Sequence, residues 1–193
     1  MTEREKKRLL NRREYEYLTE TFRKSIHTTR QVNYYFDTDD LAMHRQHITC
    51  RLRRQLPDGS FSATMKQHIA GTDQSTETAM AVFDGTRDNA FTHMGLRLMG
   101  ELVTERSVIW EATACRAMLD KNQYLGKTDY ELEVEYDEGE EAAAQSMFHT
   151  VLDLLMQYRC MLAHRDIYKQ EYSAPSKSER FFGRRAENGI PPA

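Results

Sequence analysis

Polar and apolar residues alternate along much of this chain, and a period of two is typical of β-strands with one buried face. In the segment Asp129–Tyr136, for example, Leu132 and Val134 alternate with acidic residues. Segments of this kind recur along the chain and are separated by short polar turns. The predicted strands are Thr2–Arg8, Gln31–Asp37, Ile48–Gln55, Ser60–Gln67, Glu77–Phe83, Glu101–Trp110, Ala112–Leu119, Asp129–Tyr136, Arg165–Tyr172 and Ser178–Phe182.

Apolar residues recur at helical spacing in two longer segments. One helix is predicted to begin at Asn11, whose side chain can cap a first turn, with Glu14 three residues later. The second is predicted from about Glu140 to Tyr158, where methionine, leucine and aromatic side chains form one stripe. A shorter helix is expected from about Thr86 to Met94.

Many strands joined by local turns, such as the hairpin signal Leu56–Ser60, together with few helices indicate an antiparallel sheet. The predicted fold class is therefore α+β, an antiparallel closed β-barrel with flanking helices, rather than helices alternating with a parallel sheet. The end of the chain contains several glycines and prolines. We therefore expect one domain over residues 1–182 and a flexible C-terminal tail over residues 183–193.

Composition excludes few functions by itself. The 193 residues suit a single domain, and 27 basic against 30 acidic residues leave a net charge of -3, which offers no argument for a nucleic-acid partner. No apolar run is long enough for a membrane span, and the charged N-terminus does not resemble a signal peptide. Three widely spaced cysteines fit free thiols in a reducing compartment, so a cytoplasmic protein with no membrane partner is expected.

Many charged side chains of the predicted strands share one face, whereas Arg4, Lys6, Arg8 and Arg54 fall on the opposite face. An ordinary solvated face would mix both signs, but here three carboxylates share one strand face, where they repel each other unless cations lie between them. A barrel closed with this face inward would have acidic and basic walls, which suit a divalent metal and a polyanion. The residues on this face are Glu3, Glu5, Lys7, Arg51, Arg53, Ser62, Thr64, Lys66, Thr104, Arg106, Glu131, Glu133 and Glu135.

An ordered set of motifs from Thr2 to Phe182 resembles the CYTH superfamily, also called the triphosphate tunnel metalloenzymes. The resemblance is greatest to the small bacterial branch likened to thiamine triphosphatase. No single motif is specific, but the order of the whole set is. The motifs are Glu3-x-Glu5-x-Lys7, Asn33–Thr38, Arg51-Leu-Arg53-Arg54, Ala63–Lys66, Glu77, Thr104-Glu-Arg106, Asp120 with Tyr124–Gly126, Asp129–Glu135, Ser176-Lys177 and Arg180–Phe182.

The resemblance implies a tunnel formed by about eight antiparallel strands, a divalent metal (Mg²⁺ or Mn²⁺) and hydrolysis of a triphosphate. It also implies roles for individual residues, with Glu77 as a less certain acidic neighbour. The implied metal ligands are Glu3, Glu5, Glu131 and Glu133, with Glu135 extending the acidic wall as a further candidate. The implied phosphate-binding residues are Lys7, Arg51, Arg53, Lys66, Arg106 and Lys177, and the catalytic candidates are Glu133, Asp120 and Lys7.

The expected function is a metal-dependent phosphohydrolase that cleaves inorganic triphosphate or a small organic triphosphate such as thiamine triphosphate. Two alternatives stay open at this point: an adenylyl cyclase of the same fold, and a non-catalytic tunnel that binds polyphosphate or a nucleotide. The complete acidic set disfavours a pure binding module. No base-binding pocket is evident in the sequence, which favours a compact substrate.

Other candidate sites are weaker. His44 and His47 could form a metal pair, but without nearby third and fourth ligands a loop or surface pair is preferred. Cys50 and Cys115 alternate with charged residues, which indicates buried structural thiols. The Arg51–Arg54 cluster lacks interleaved aromatic residues, so a nucleic-acid surface is disfavoured, although a 5′-triphosphate RNA end stays open as a substrate.

The resemblance also concerns the C-terminal segment. Ser176–Phe182 is similar to the closing segment of the family, which brings a last lysine to the phosphate. We therefore expect this segment to be ordered against the barrel with Lys177 in the tunnel, and residues 187–193 to be mobile.

Overall fold

Eight strands close an antiparallel barrel in the spatial order β1-β10-β9-β8-β2-β3-β4-β5. The computed structural model describes residues 2–24, 26–69, 72, 74–161 and 174–189. Its strands are β1 Thr2–Leu10, β2 His27–Asp37, β3 Ile48–Leu56, β4 Phe61–His68, β5 Gln74–Met80, β6 Val82–Asp84, β7 Asp88–Asn89, β8 Arg97–Glu111, β9 Cys115–Tyr124 and β10 Lys127–Tyr136. Its helices are α1 Arg12–Thr21, α2 Ala42–Arg45, α3 Ala90–His93, α4 Glu141–Met161 and α5 Lys177–Glu187. The predicted closed barrel with flanking helices is confirmed.

The strand register fixes which side chains point into the barrel. Lys7 of β1 lies opposite Glu133 of β10, and Glu131 lies opposite Asp120 of β9. Asp120 in turn lies opposite Arg106 of β8. Because neighbouring residues in a register share a face, these charged residues line the interior, as the alternation predicts.

The outer face of the barrel is covered by α1 and α4. Leu132 and Val134, which alternate with the acidic residues of β10, are fully buried in the same cluster as Leu18 of α1 and Phe148 of α4. Helix α1 begins with a capping box, in which the Asn11 side chain accepts from the Glu14 amide. This apolar layer fixes the orientation of β10 and so directs its carboxylates inward.

Several predicted boundaries change. The strand predicted over Ser178–Phe182 is wrong, because this segment lies in helix α5. The Ser176 hydroxyl accepts a hydrogen bond from the Glu179 amide, and the Glu179 carboxylate accepts one from the Ser176 amide. This reciprocal Ser-x-x-Glu pattern is a capping box, which is typical of a helix N-terminus. The other differences are smaller: α3 is shorter than expected, the strand predicted over Glu77–Phe83 divides into β5 and β6, and the strand predicted over Arg165–Tyr172 falls outside the described residues.

The expected end of the domain at residue 182 also changes, because α5 continues without interruption to Glu187. Arg185 is buried, and its Nη1 donates to the Met99 carbonyl at 2.6 Å. Residues 183–187 therefore belong to the packed structure rather than to a tail.

Helix α5 closes one end of the barrel. Phe181 and Phe182 are buried against Tyr35, Leu102 and Tyr124, which occupy inward positions on three strands. The rings of Tyr35 and Phe181 have their centroids 4.9 Å apart. This apolar closure places the first turn of α5 at the edge of the charged interior.

Gly100 permits this closure, and a substitution there tests it. A Cβ atom on Gly100, whose φ is +146°, would lie 2.8 Å from Cζ of Phe181. We therefore expect Gly100→Ala to lower the free energy of unfolding by about 1–3 kcal/mol, through displacement of Phe181 and backbone strain. Urea unfolding measures this change.

The matched control is Gly183→Ala in α5. Its added Cβ meets no atom within 4 Å, and alanine favours a helix over glycine by about 1 kcal/mol. This variant should be as stable as the wild type or more stable. Equal unfolding curves for Gly100→Ala and Gly183→Ala would contradict the described packing of α5.

Candidate active site

A charged cavity of about 930 Å³ occupies the barrel interior. It is lined by residues of β1, β2, β3, β4, β5, β8 and β10 and by the N-terminal turn of α5. Asp120 and Glu131 lie behind this lining and are fully buried. The predicted site residues in the lining are Glu3, Glu5, Lys7, Arg51, Arg53, Lys66, Arg106, Glu133, Glu135 and Lys177.

Three buried carboxylates converge at the deep wall of the cavity. Asp120, Glu131 and Glu133 each offer an oxygen, and these oxygens lie within 4.8 Å of one another. The ammonium of Lys177 sits among them, 2.9 Å from Asp120 Oδ2 and 3.0 Å from Glu131 Oε2, and it also donates to Glu133. This cluster therefore already holds one cation, which compensates part of its buried negative charge.

The ionisation of the cluster follows from its cations. Burial would raise the pKa of Glu133, but Lys177, Arg106 and Lys7 outweigh it and hold that pKa well below its usual range. Burial would lower the pKa of Lys177, but Asp120, Glu131 and Glu133 raise it well above its usual value. At neutral pH Glu133 is therefore a carboxylate and Lys177 an ammonium ion.

Arg106 and Arg180 hold different carboxylates of the same cluster. Arg106 donates to both oxygens of Asp120, at 2.9 and 2.7 Å, and also pairs with Glu133. Arg180 donates to Glu131 at 2.7 Å and to Asp129 at 3.1 Å. Such fork-shaped contacts fix the planes of the carboxylates.

The remaining predicted metal ligands lie apart from this cluster. Lys66 pairs with both Glu3 and Glu5, and Lys7 also pairs with Glu5. Burial would raise the pKa of Glu5, but Lys7, Lys66 and Lys177 together lower it to about 2. Glu135 pairs with Arg106 at 3.1 Å and with Arg116. The structure thus brings Glu131 and Glu133 together with Asp120. Glu3 and Glu5 share Lys66 instead, and Glu135 is joined to the cluster only through Arg106.

The basic wall contains two arginines, Arg51 and Arg53, which differ in their hydrogen-bond partners. Arg51 donates to Glu77 at 2.8 Å, so Glu77 does reach the interior. Arg53 makes no ion pair with any described residue, and its Nε donates to Asn33 Oδ1 at 3.0 Å. Burial, together with the neighbouring cations Arg51 and Arg106, lowers the pKa of Arg53 to about 9. A half-buried guanidinium beside two like charges can bind an anion.

The weaker candidates of the sequence lie elsewhere. The His44 ring stacks on Phe182, and neither His44 nor His47 belongs to a metal-type cluster in the part of the chain that the structure describes. Cys50 and Cys115 are buried, as predicted, and burial with the nearby Asp37 charge raises the pKa of Cys50 to about 12. These groups do not join the cavity.

Some site residues were not assigned from the sequence. Arg180 and Asp129 belong to the motifs quoted above, but the sequence assigns neither of them to metal binding, phosphate binding or catalysis. Lys177 and Arg180 are three residues apart, which places them on one face of a helix. This spacing has no meaning in the strand that the sequence predicts over Ser178–Phe182, because residues three apart lie on opposite faces of a strand. Asp129 shares the alternation of Glu131 and lies on the same inward face.

Comparison with known proteins identifies the family. The model of the CYTH domain matches residues 1–160, and the chain therefore belongs to the CYTH family. A Bacillus subtilis protein named "Putative triphosphatase YjbK" is 29% identical over 131 residues, which cover 59% of this chain and 67% of that protein. The shared region includes the greater part of the relative.

Solved structures share the fold. A Bacillus halodurans protein described as a "putative adenylate cyclase" has a TM-score of 0.67 and 22% identity, covering 93% of this chain and 97% of that one. The Hippeastrum protein HpAC1, described as a "putative adenylyl cyclase" with a dominant triphosphatase activity, has a TM-score of 0.61 and 18% identity, covering 94% and 95%. At these identities the likeness concerns the fold.

Among the helices that the structure describes, no segment has the length and apolar character of a membrane span.

Proposed function

We propose that this protein is a metal-dependent triphosphatase that cleaves inorganic triphosphate, or a small organic triphosphate such as thiamine triphosphate, inside the barrel. The observation that carries the proposal is one cavity with two opposed walls. One wall holds the cation-binding carboxylates Asp120, Glu131 and Glu133, and the other holds Arg53 with no ion pair among the described residues. The family and the named triphosphatase relative support the reaction class.

The carboxylate cluster fits a divalent cation. Its three donors are hard oxygens, which Mg²⁺ and Mn²⁺ prefer, and they already surround the Lys177 ammonium. Asp120, Glu131 and Glu133 would hold the metal, and the Lys177 ammonium would then move toward the cavity. A metal held there would neutralise charge on phosphate oxygens and would lower the pKa of a water molecule.

The other residues of the cavity bind and orient the substrate. Arg53 and Lys66 would contact phosphate oxygens, with Arg51 held near them by Glu77. Burial would lower the pKa of Lys7, but Glu5, Glu131 and Glu133 raise it above its usual value. Lys7 therefore acts as a fixed positive charge toward the phosphates and not as a base. Preorganised charges of this kind stabilise phosphoryl transfer without a covalent intermediate.

A substrate panel tests the proposal. Purified protein should release phosphate from tripolyphosphate or thiamine triphosphate with Mg²⁺ or Mn²⁺, and more slowly from ATP, because the lining of the cavity is mainly charged and polar. Phosphate release and cyclic AMP are followed in the same samples. Cyclic AMP as the main product would identify a cyclase instead, and inertness toward every member of the panel would reject catalysis.

A further inference from the structure

A chain of side-chain hydrogen bonds, buried at its centre, runs around the barrel beside the cavity. Asn122 Nδ2 donates to Asp129 Oδ1 at 3.1 Å, and Thr104 Oγ1 donates to Asn122 Oδ1 at 2.8 Å. Asn33 Nδ2 contacts Thr104 Oγ1 at 3.4 Å, and Arg53 Nε donates to Asn33 Oδ1 at 3.0 Å. The chain takes one residue from each of five consecutive strands, β10, β9, β8, β2 and β3.

In every hydrogen bond of this chain the donor lies on the Arg53 side and the acceptor on the Asp129 side. The Asp129 carboxylate can only accept, so Asn122 turns its NH₂ group toward it and leaves its oxygen for the Thr104 hydroxyl. Thr104 then has a lone pair for Asn33 Nδ2, which leaves Asn33 Oδ1 for Arg53. Asp129 is itself held by Tyr124 and Arg180, at 2.6 and 3.1 Å. The chain thus joins an anion to a cation that pairs with no carboxylate among the described residues.

The three neutral members lie in the interior, where apolar residues would pack more readily. Asn33 is 1% exposed, and Thr104 and Asn122 are 0% exposed. Buried polar groups are favourable only when their bonds are satisfied. Arg53 is joined to this chain through Nε, and within the described residues the structure shows no hydrogen bond from its two terminal nitrogens. These nitrogens are therefore left for a ligand.

We propose that Thr104, with Asn122 and Asn33, is a positioning residue that orients Arg53 so that its two terminal nitrogens grip one phosphate group of the substrate. This inference rests on the proposed function. It adds that phosphate affinity depends on a neutral hydroxyl that does not line the cavity.

The test is a double-mutant cycle on tripolyphosphate affinity. Titration calorimetry in metal-free buffer measures binding to the wild type, Thr104→Val, Arg53→Ala and the double variant. We expect Thr104→Val to weaken binding about tenfold, which corresponds to the loss, through misplacement of Arg53, of one hydrogen bond between its guanidinium and the phosphate. In the Arg53→Ala background the same substitution should change affinity less than about twofold, because it acts through Arg53.

Two further variants separate positioning from folding. Thr104→Ser keeps the hydroxyl and should restore wild-type affinity. Thr28→Val removes a hydroxyl that bonds Ser107 between β2 and β8 at 2.9 Å, outside the chain, and should leave affinity unchanged. Thr104→Ala replaces Thr104→Val if the latter does not fold, and failure of both to fold would assign Thr104 a structural role and overturn the proposal.

The outcomes distinguish this inference from the proposed function. Wild-type affinity in Thr104→Val, or an equal loss in the presence and absence of Arg53, overturns the positioning role alone. Hydrolysis is measured in parallel with Mg²⁺. A wild type that binds tripolyphosphate without cleaving it rejects the triphosphatase but leaves the cycle valid, whereas a wild type that does not bind it overturns both.

Discussion

Replacing Glu133 by glutamine is expected to lower kcat/KM for tripolyphosphate by at least about 100-fold. Glu133 is 2% exposed and shares its oxygens with Lys177 and Arg106 in the carboxylate cluster. Glutamine keeps the shape but removes the charge, so the cluster loses a hard anionic ligand. Removing residues that merely support metal ligands already costs about 10–100-fold, so loss of a direct ligand should cost at least as much.

The measurement combines kinetics with direct metal binding. Mn²⁺ binding, followed by electron paramagnetic resonance without substrate, should weaken in Glu133→Gln in parallel with the loss of turnover. The control is Glu105→Gln, which removes the same charge from the outer face of β8, where Glu105 pairs with Lys121 at 3.4 Å. Wild-type Mn²⁺ affinity in Glu133→Gln would show that the cluster is not the metal site.

Deleting residues 176–193 is expected to abolish detectable hydrolysis. The deletion removes Lys177 and Arg180, two cations that hold the carboxylate cluster, together with Phe181 and Phe182, which close the barrel. Three buried carboxylates would then lack part of their compensation, and the interior would be open to water at one end. Phosphate release from tripolyphosphate and thermal unfolding measure the two effects.

A shorter deletion provides the control. Removing residues 188–193 leaves α5 complete through Glu187, so activity should stay within about twofold of the wild type. Lys177→Met separates charge from closure in the full-length chain, because it keeps the helix and removes only the ammonium. Equal activity of the two truncations would mean that α5 takes no part in the reaction.

The inward face of the barrel was predictable because a strand has only two faces. Once Leu132 and Val134 are assigned to the core, Glu131 and Glu133 must point the other way, and the structure places them in the interior. The same logic assigns Arg53 to the inward face, and its side chain lines the cavity. The alternation of polar and apolar residues along the strands is therefore enough to identify most of the charged residues in the interior.

Which carboxylates converge could not be predicted from alternation. That choice depends on the stagger between strands, which puts Asp120 directly opposite Glu131 but leaves Glu3 beside Lys66. Two of the cations that hold the cluster, Lys177 and Arg180, come from α5, where the sequence predicts a strand over Ser178–Phe182. The capping pattern of Ser176 and Glu179 was the available signal for the helix.

The hydrogen-bonded chain of side chains from Asp129 to Arg53 could not be predicted from the sequence either. Its neutral members Asn33, Thr104 and Asn122 lie on three different strands and are adjacent only after the barrel closes. A threonine or asparagine at an inward position has no distinctive spacing of its own. Its role becomes apparent only from the direction of its hydrogen bonds.

Tripolyphosphate hydrolysis as a function of divalent cation tests the central claim most directly. Protein freed of metal by dialysis against a chelator should release no phosphate, and added Mg²⁺ or Mn²⁺ should restore the reaction along a saturable curve. Full activity in excess chelator, or no phosphate release at any cation concentration, would contradict a metal-dependent triphosphatase.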